Sequence, residues 1–195
     1  MTHGRPVPML RGARIYLRAS ERADASMFMR WLTDARVVDT MLPRAPMSLA
    51  SEERWVERAV EHQGQELYHF VICLREDDRP IGVLGLHRLD FLNGSAEVGI
   101  GIGEPDLWDQ GLGTEAMSVV LDFAFGDLRF ERIELEVFAS NARARRAYQK
   151  LGFVLEGTRR RALYRHGAWI DLELMSVLRD EWLAREGPRS WELPE

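Results

Sequence analysis

Apolar residues along this chain recur at two periods, and the switches between them mark out its elements. Ile15-Tyr16-Leu17-Arg18 alternates as a short strand does, and Ser20 or Asp24 then stands where a helix carrying Met27, Phe28, Trp31 and Leu32 would begin. Pro43 and Pro46 interrupt the chain, and Ser48 takes an N-cap position before a helix with Trp55, Val56, Ala59 and Val60 on one face. From Leu67 to Gly103 the pattern is that of strands. Residues 67–75 and 80–90 flank the turn Glu76–Arg79, and Asn93-Gly94 makes a second tight turn before a strand that opens at Glu97. Helical spacing returns with Ala116, Val120, Phe123 and Ala124 and closes near Gly126 or Asp127. Residues 132–138 alternate again. A helix follows from Asn141 to Leu151 and stops at Gly152, and residues 153–164 and 168–178 flank the turn His166-Gly167. Hairpins outnumber β-α-β alternations, so the expected class is α+β, a largely antiparallel sheet with helices packed on it.

Composition narrows the function. A chain of 195 residues with 46% hydrophobic and 29% charged positions suits a single domain over residues 1–195, with 1–11 and 184–195 as peripheral arms. A formal net charge of −5 argues against nucleic acid as the main partner, even with Arg159-Arg160-Arg161 in one strand. Cys73 is the one cysteine, which excludes an internal disulfide framework. It sits mid-strand, where a core role is expected of it. No apolar run reaches the roughly 20 residues that span a bilayer, and the first eleven residues lack the apolar core of a signal peptide. A cytoplasmic location and no membrane partner are therefore expected. The five histidines show no metal-ligand spacing, so no metal is expected.

The candidate chemistry starts at the stretch from Glu97 to Ala116. A strand with one acidic residue at its head, Glu97-Val98-Gly99-Ile100-Gly101-Ile102-Gly103, leads through Trp108 to Gln110-Gly111-Leu112-Gly113-Thr114-Glu115-Ala116. Free N–H groups and the positive end of a helix dipole meet at those glycines, and a phosphate can approach a main chain that lacks Cβ atoms. Gly111-x-Gly113-x-x-Ala116 also fits a dinucleotide fingerprint, but that motif follows a strand directly within a β-α-β unit, and here a loop and hairpins precede it. A Walker A loop is excluded because no Lys-Ser or Lys-Thr follows.

A second segment, Asn141-Ala142-Arg143-Ala144-Arg145-Arg146-Ala147-Tyr148-Gln149-Lys150-Leu151-Gly152-Phe153, completes a pair. Here the chain resembles the GNAT superfamily of acyl-CoA-dependent N-acetyltransferases. That family couples a Gln/Arg-x-x-Gly-x-Gly/Ala loop to a later Asn-x-x-Ser/Ala-x-x-x-Tyr-x-Lys-x-Gly-Phe helix. Trp108 through Ala116 is most similar to the subgroup of ribosomal-protein alanine N-acetyltransferases and spermidine N-acetyltransferases. The resemblance covers about residues 12–182. It departs from the pattern at Trp108, where the family carries Gln or Arg; a side-chain contact is lost while the backbone cradle is kept.

The resemblance implies a GNAT-like sheet of about seven strands and about four helices, with a splayed strand pair holding CoA. It implies acetyl-CoA as the acyl donor, with the pyrophosphate on the N–H groups from Gly111 to Thr114 and the pantetheine along Val98–Ile102. A bulge is expected to splay that strand from its neighbour at 132–138, and Gly99, Gly101 and Gly103 are compatible with one. The cofactor-binding set so implied is Ile100, Gly101, Ile102, Gln110, Gly111, Leu112, Gly113, Thr114, Glu115, Asn141 and Arg143. Glu97 is the expected base for an amine whose ordinary pKa is about 10.4, and Tyr148 the acid for a thiolate with a pKa of about 8.5. N–H groups near Ile100 would serve the oxyanion. The acceptor expected first is a protein or peptide N-terminus, with a spermidine-like polyamine or an aminoglycoside-type amine as alternatives. A non-catalytic acyl-CoA-binding regulatory module is the rival from another class, and a homodimer is left open. Glu52, Glu53, Glu57 and Asp39 are charges that could attract a polycation.

Overall fold

A computed structural model describes residues 8–41 and 46–193. Pro43 and residues 1–7 of the expected N-terminal arm lie outside the described residues. Eight strands form one sheet in the order β1-β2-β3-β4-β5-β6-β8-β7. They are β1 (Leu10–Arg11), β2 (Ile15–Ala19), β3 (Tyr68–Leu74), β4 (Pro80–Asp90), β5 (Ser95–Ile102), β6 (Arg132–Phe138), β7 (Val154–Arg165) and β8 (Ala168–Leu178). Every pairing is antiparallel except β5 with β6. Helices α1 (Ala25–Leu32), α2 (Ala35–Val38) and α3 (Leu49–Glu61) precede β3. The others are α4 (Leu112–Asp122), α5 (Ala142–Lys150) and α6 (Arg179–Leu183). This is the expected mixed, mostly antiparallel architecture.

The local signals act as their chemistry requires. Ser48 caps α3 by accepting from the Ser51 N–H, and Asn141 caps α5 by accepting from the Ala144 N–H at 3.1 Å. Gly152 takes φ +89° just after α5, and His166-Gly167 both take positive φ in the tight β7–β8 turn. Period-two alternation gives the sheet two faces. One buries Ile15, Ile72, Leu84, Val98, Ile133 and Val177 under α4 and α6; the other packs Val71 and Cys73 against Phe28, Trp31 and Val56. Cys73 is core, as expected.

Both expected arms are tied down where they are described. Leu10 is buried in β1, which pairs with β2, and Arg11 donates to the Leu193 carbonyl at 3.2 Å. At the other end the Ser190 N–H bonds the Asp122 carboxylate at 2.7 Å, and Trp182 is fully buried with its indole N–H on the same carboxylate at 2.9 Å. Two residues of β1 and one turn of α2 carry too short a pattern to be seen as periodicity.

The expected bulge lies one strand away from its expected place. β5 keeps an unbroken register with β4 from Glu97 to Ile102, whereas the pairing slips by one residue between His87 and Asp90 of β4. Arg88, inside that slip, has φ +50°, the backbone signature of a bulge. Gly103 is held by packing instead: a Cβ there would stand 2.1 Å from the Trp31 ring. That ring is pinned, since its N–H donates to Glu104 at 2.8 Å while Glu104 also holds Arg30 and Arg79. Gly103→Ala is therefore expected to cost about 1–3 kcal/mol through overpacking. The measurement is the urea midpoint, and an unchanged midpoint would show that Trp31 can retreat.

Candidate active site

β5 and β6 run side by side only through Ser95↔Arg132, Ala96↔Ile133 and Glu97↔Glu134. Beyond Glu97 they part. The Gly103 N–H bonds the Ile81 carbonyl at 2.8 Å, so Gly103 faces β4. An antiparallel ladder alternates its bonding direction residue by residue. Val98, Ile100 and Ile102 consequently turn their N–H and C=O groups to the side that β6 has left, while Gly101 turns its own toward β4. A cavity of about 670 Å³ occupies the split and reaches both sheet faces. His69, His87, Glu97 and Trp55 line it on the α1–α3 side, and Gly111, Gly113, Thr114, Met117 and Tyr148 on the α4–α5 side.

The N-terminus of α4 opens into this cavity. Gly111 is its N-cap with φ +79°, a conformation that favours glycine. The first bond of the helix ladder runs from the Glu115 N–H to the Gly111 carbonyl at 3.0 Å, leaving the N–H groups of Leu112, Gly113 and Thr114 ahead of it. Two members of the expected set point elsewhere. The Glu115 carboxylate takes the Arg14 guanidinium at 2.9 Å and the Arg14 N–H at 2.7 Å, fixing α4 to the β1–β2 turn. The Gln110 amide donates to the Asp106 carbonyl at 3.0 Å, and its own carbonyl accepts from Arg14 at 2.9 Å. Both are explained as supports of the cradle, and neither lines the cavity. Asn141 lines it, with its side-chain oxygen already used as the α5 cap.

Trp108, the departure from the family pattern, proves to be structural on two sides. Its indole N–H donates to the Ile102 carbonyl at 2.9 Å, fastening the loop to the end of β5. Its ring carries the Arg143 guanidinium at 4.2 Å from the centroid, and Asp109 lies 3.8 Å from the same group. The expected cation is thus stacked beside the cradle. Arg at the second position of α5 and Trp before the glycines were both visible in sequence; their pairing was not, because 35 residues separate them.

Glu97 is the last paired residue before the split, with its side chain only 19% exposed. Burial pushes its carboxyl pKa up, Arg88 at 2.8 Å opposes this, and the carboxylates of Glu136 and Glu134 add to the rise. Tyr148 packs against Phe153 and lines the cavity, and burial pushes its phenol up to about 12. Among the described residues its hydroxyl has no hydrogen-bond partner. His69 is buried with Nδ1 2.6 Å from the Ser20 hydroxyl, and burial lowers its pKa to about 4. Among the described residues no group of three His, Cys, Asp or Glu side chains is placed to hold a metal, and no helix is long and apolar enough to cross a membrane.

His69 makes a stability prediction. Its folded pKa of about 4 lies below the ordinary 6.5, so the unfolded chain binds more protons between those values. The stability it contributes is present above pH 6.5 and is lost as pH falls toward 4. Linkage makes the loss about 2 kcal/mol between pH 6.5 and 5. Urea unfolding of a His69→Gln variant should show a pH dependence shallower by that amount; parallel curves would contradict the burial argument.

Comparison with known proteins agrees with this geometry. A family model described as an acetyltransferase (GNAT) domain matches residues 14–154. The chain is 30% identical over 171 residues to p20 of Bacillus licheniformis, an uncharacterized N-acetyltransferase, covering 87% of this chain and 95% of that one. It is 33% identical over 101 residues to YdaF of Bacillus subtilis (strain 168), provisionally named a ribosomal N-acetyltransferase, covering 52% and 55% of the two chains. A solved structure of spermidine N-acetyltransferase from Vibrio cholerae, in complex with CoA and spermine, superposes with a TM-score of 0.81 at 23% identity, covering 88% of this chain and 99% of that one. The family match spans well over half of the sequence, and the chain belongs to the GNAT acetyltransferases.

Proposed function

We propose that this protein transfers an acetyl group from acetyl-CoA directly to a primary amine that enters the split between β5 and β6. The observation that carries the reading is that split: pairing ends at Glu97↔Glu134, in the cavity that also receives the α4 N-terminus. The residues fit the donor. Leu112, Gly113 and Thr114 offer ladder-free N–H groups for a pyrophosphate with Gly111 as the turn, and Arg143 on Trp108 adds a cation. Ile100 offers strand-edge groups for an amide-bearing arm, and Ile102 its N–H, its carbonyl being held by Trp108, with Gly101 and Asn141 also on the cavity wall. When bound, acetyl-CoA supplies an acyl group already activated as a thioester, so no serine or cysteine nucleophile is required.

The chain's own groups then divide the work. Glu97 takes a proton from the amine, directly or through water, in its deprotonated form. Ile100, through its edge-facing N–H, stabilises negative charge on the acyl oxygen without reorganising. Tyr148 holds its proton at every physiological pH and presents it in the cavity. A small amine suits the acceptor side better than the protein N-terminus expected first. The β7–β8 hairpin reaches across the molecule there, Arg165 donating to the carbonyls of Val38 and Met41 at 3.2 and 2.8 Å, and so ties down the segment that walls the cavity. The test is release of free thiol from acetyl-CoA against amines, polyamines, aminoglycosides and N-terminal peptides. Turnover should be fastest with small amines. Tight CoA binding with no turnover on any of them would support a regulatory module instead, and faster turnover of peptides would restore the N-terminal reading.

A further inference from the structure

On the α1–α3 side, at the end of the cavity away from β5, one charged group is left without a counterpart. Glu52, in the first turn of α3, is only 5% exposed and lines the cavity. Among the described residues its carboxylate has neither an ion pair nor a hydrogen bond, and burial pushes its pKa up. Other buried carboxylates here are matched: Asp24 by Arg18 at 2.8 Å, Glu104 by Arg30 and Arg79, Glu173 by Arg145 at 2.8 Å. The helix end does not account for the difference, because the Ser48 hydroxyl already takes the Ser51 N–H. A buried charge with no partner costs several kcal/mol in general, a cost that a cationic ligand seated against it would offset.

The surroundings give the ligand its shape. One turn along from Glu52, Trp55 stands edge-on to His69 with ring centroids 4.7 Å apart. His69 pairs across β3–β4 with Gly85, and Gly85 pairs across β4–β5 with Gly99, two residues beyond Glu97. The His69 and His87 imidazoles and the Trp55 indole make a floor across β3, β4 and β5, the His87 ring lying over Gly85 and Gly99, where a Cβ would meet its Nε2 at 2.8 and 3.8 Å. That floor spans two inter-strand spacings, roughly 10 Å. Resting on the proposed acetyl transfer at Glu97, we propose that Glu52 is the specificity-determining residue for an acceptor with two cationic ends: an aliphatic diamine or longer polyamine whose reacting nitrogen lies at Glu97 and whose second ammonium is held by Glu52.

The test compares α,ω-diamines of increasing length with n-alkyl monoamines of matched length, in the wild type and in Glu52→Gln. Wild type should prefer the best diamine over its matched monoamine by about 10- to 100-fold in kcat/KM, the worth of a charged hydrogen bond. In Glu52→Gln that ratio should fall toward one, through KM rather than kcat. A wild-type ratio near one, or a ratio untouched by the substitution, overturns the proposal. Diamine binding to the wild type and the variant, read by calorimetry with CoA present, is the second arm. Binding that weakens about 10-fold or more in the variant, with no turnover of any amine, would sustain the Glu52 site while removing the transferase reading. Equal binding to both proteins overturns the site whether or not turnover occurs.

Discussion

Replacing Tyr148 by phenylalanine is expected to lower kcat by about 100-fold while leaving KM for acetyl-CoA little changed. The magnitude follows from the state of the phenol. Burial holds its pKa at about 12, so the proton is present throughout the working range. A departing thiolate has a pKa of about 8.5, so full transfer from such a phenol runs uphill by about 5 kcal/mol. What Tyr148 can supply without that penalty is a hydrogen bond to growing negative charge, worth about 1.5–3 kcal/mol, or roughly 10- to 100-fold. Its hydroxyl is free of any protein partner among the described residues, so it loses nothing in turning toward the sulfur. The ring packs on Phe153 and joins the main core, and phenylalanine preserves both contacts. A fall of 10⁴-fold would indicate complete proton transfer and a phenol pKa far lower in the bound enzyme. Full activity in the variant would take Tyr148 out of the reaction. The rate should also show no descending limb below about pH 11, since the group that would produce it titrates near 12.

The parts of this site that were legible in the sequence are those written in local chemistry. Gly111 had to follow a loop and precede an amphipathic run, and it occupies the αL N-cap those neighbours demand. Asn141 and Gly152 bracket α5 by the ordinary logic of caps. Glu97, expected at the head of its strand, is the third residue of β5 and stands where β5 leaves β6. What was not legible depends on partners far along the chain. The same letters that put Glu115 beside the glycines gave no hint that Arg14, 101 residues earlier, would claim its carboxylate. Trp108 read as a lost contact until Arg143 was found on its face. Glu52 read as one of four charges that could attract a polycation and was not told apart from Glu53 and Glu57, because helical spacing alone cannot say which turn of α3 faces the sheet. The misplaced bulge has the same origin. Glycine content pointed to β5, but the extra residue is accommodated at Arg88, whose charge is spent on Glu97 and whose positive φ no composition rule anticipates.

Glu97→Gln is expected to lower kcat/KM for the amine by about 10²–10⁴-fold, the usual worth of a positioned general base. An ordinary alkylammonium with a pKa of about 10.4 is almost fully protonated at pH 7.5, so removal of its proton must be assisted or awaited. Two roles for the carboxylate can be separated. A base loses its effect mainly in kcat; an ammonium-binding charge loses it in KM. The pH profile provides the sign. Glu97 works deprotonated, so wild-type activity should fall as pH drops through its pKa, which burial and the carboxylates of Glu136 and Glu134 hold above the usual carboxylate range. Arg88 opposes that rise from 2.8 Å, so Arg88→Met should move the acid limb to higher pH without abolishing activity. In Glu97→Gln the limb should vanish and leave only the amine's own titration. Retention of more than about a tenth of wild-type kcat/KM across the pH range would be incompatible with a base at this position. An acid limb that ignores Arg88→Met would assign the titration to another group, for which Glu136 of β6, on the same cavity wall, is the candidate.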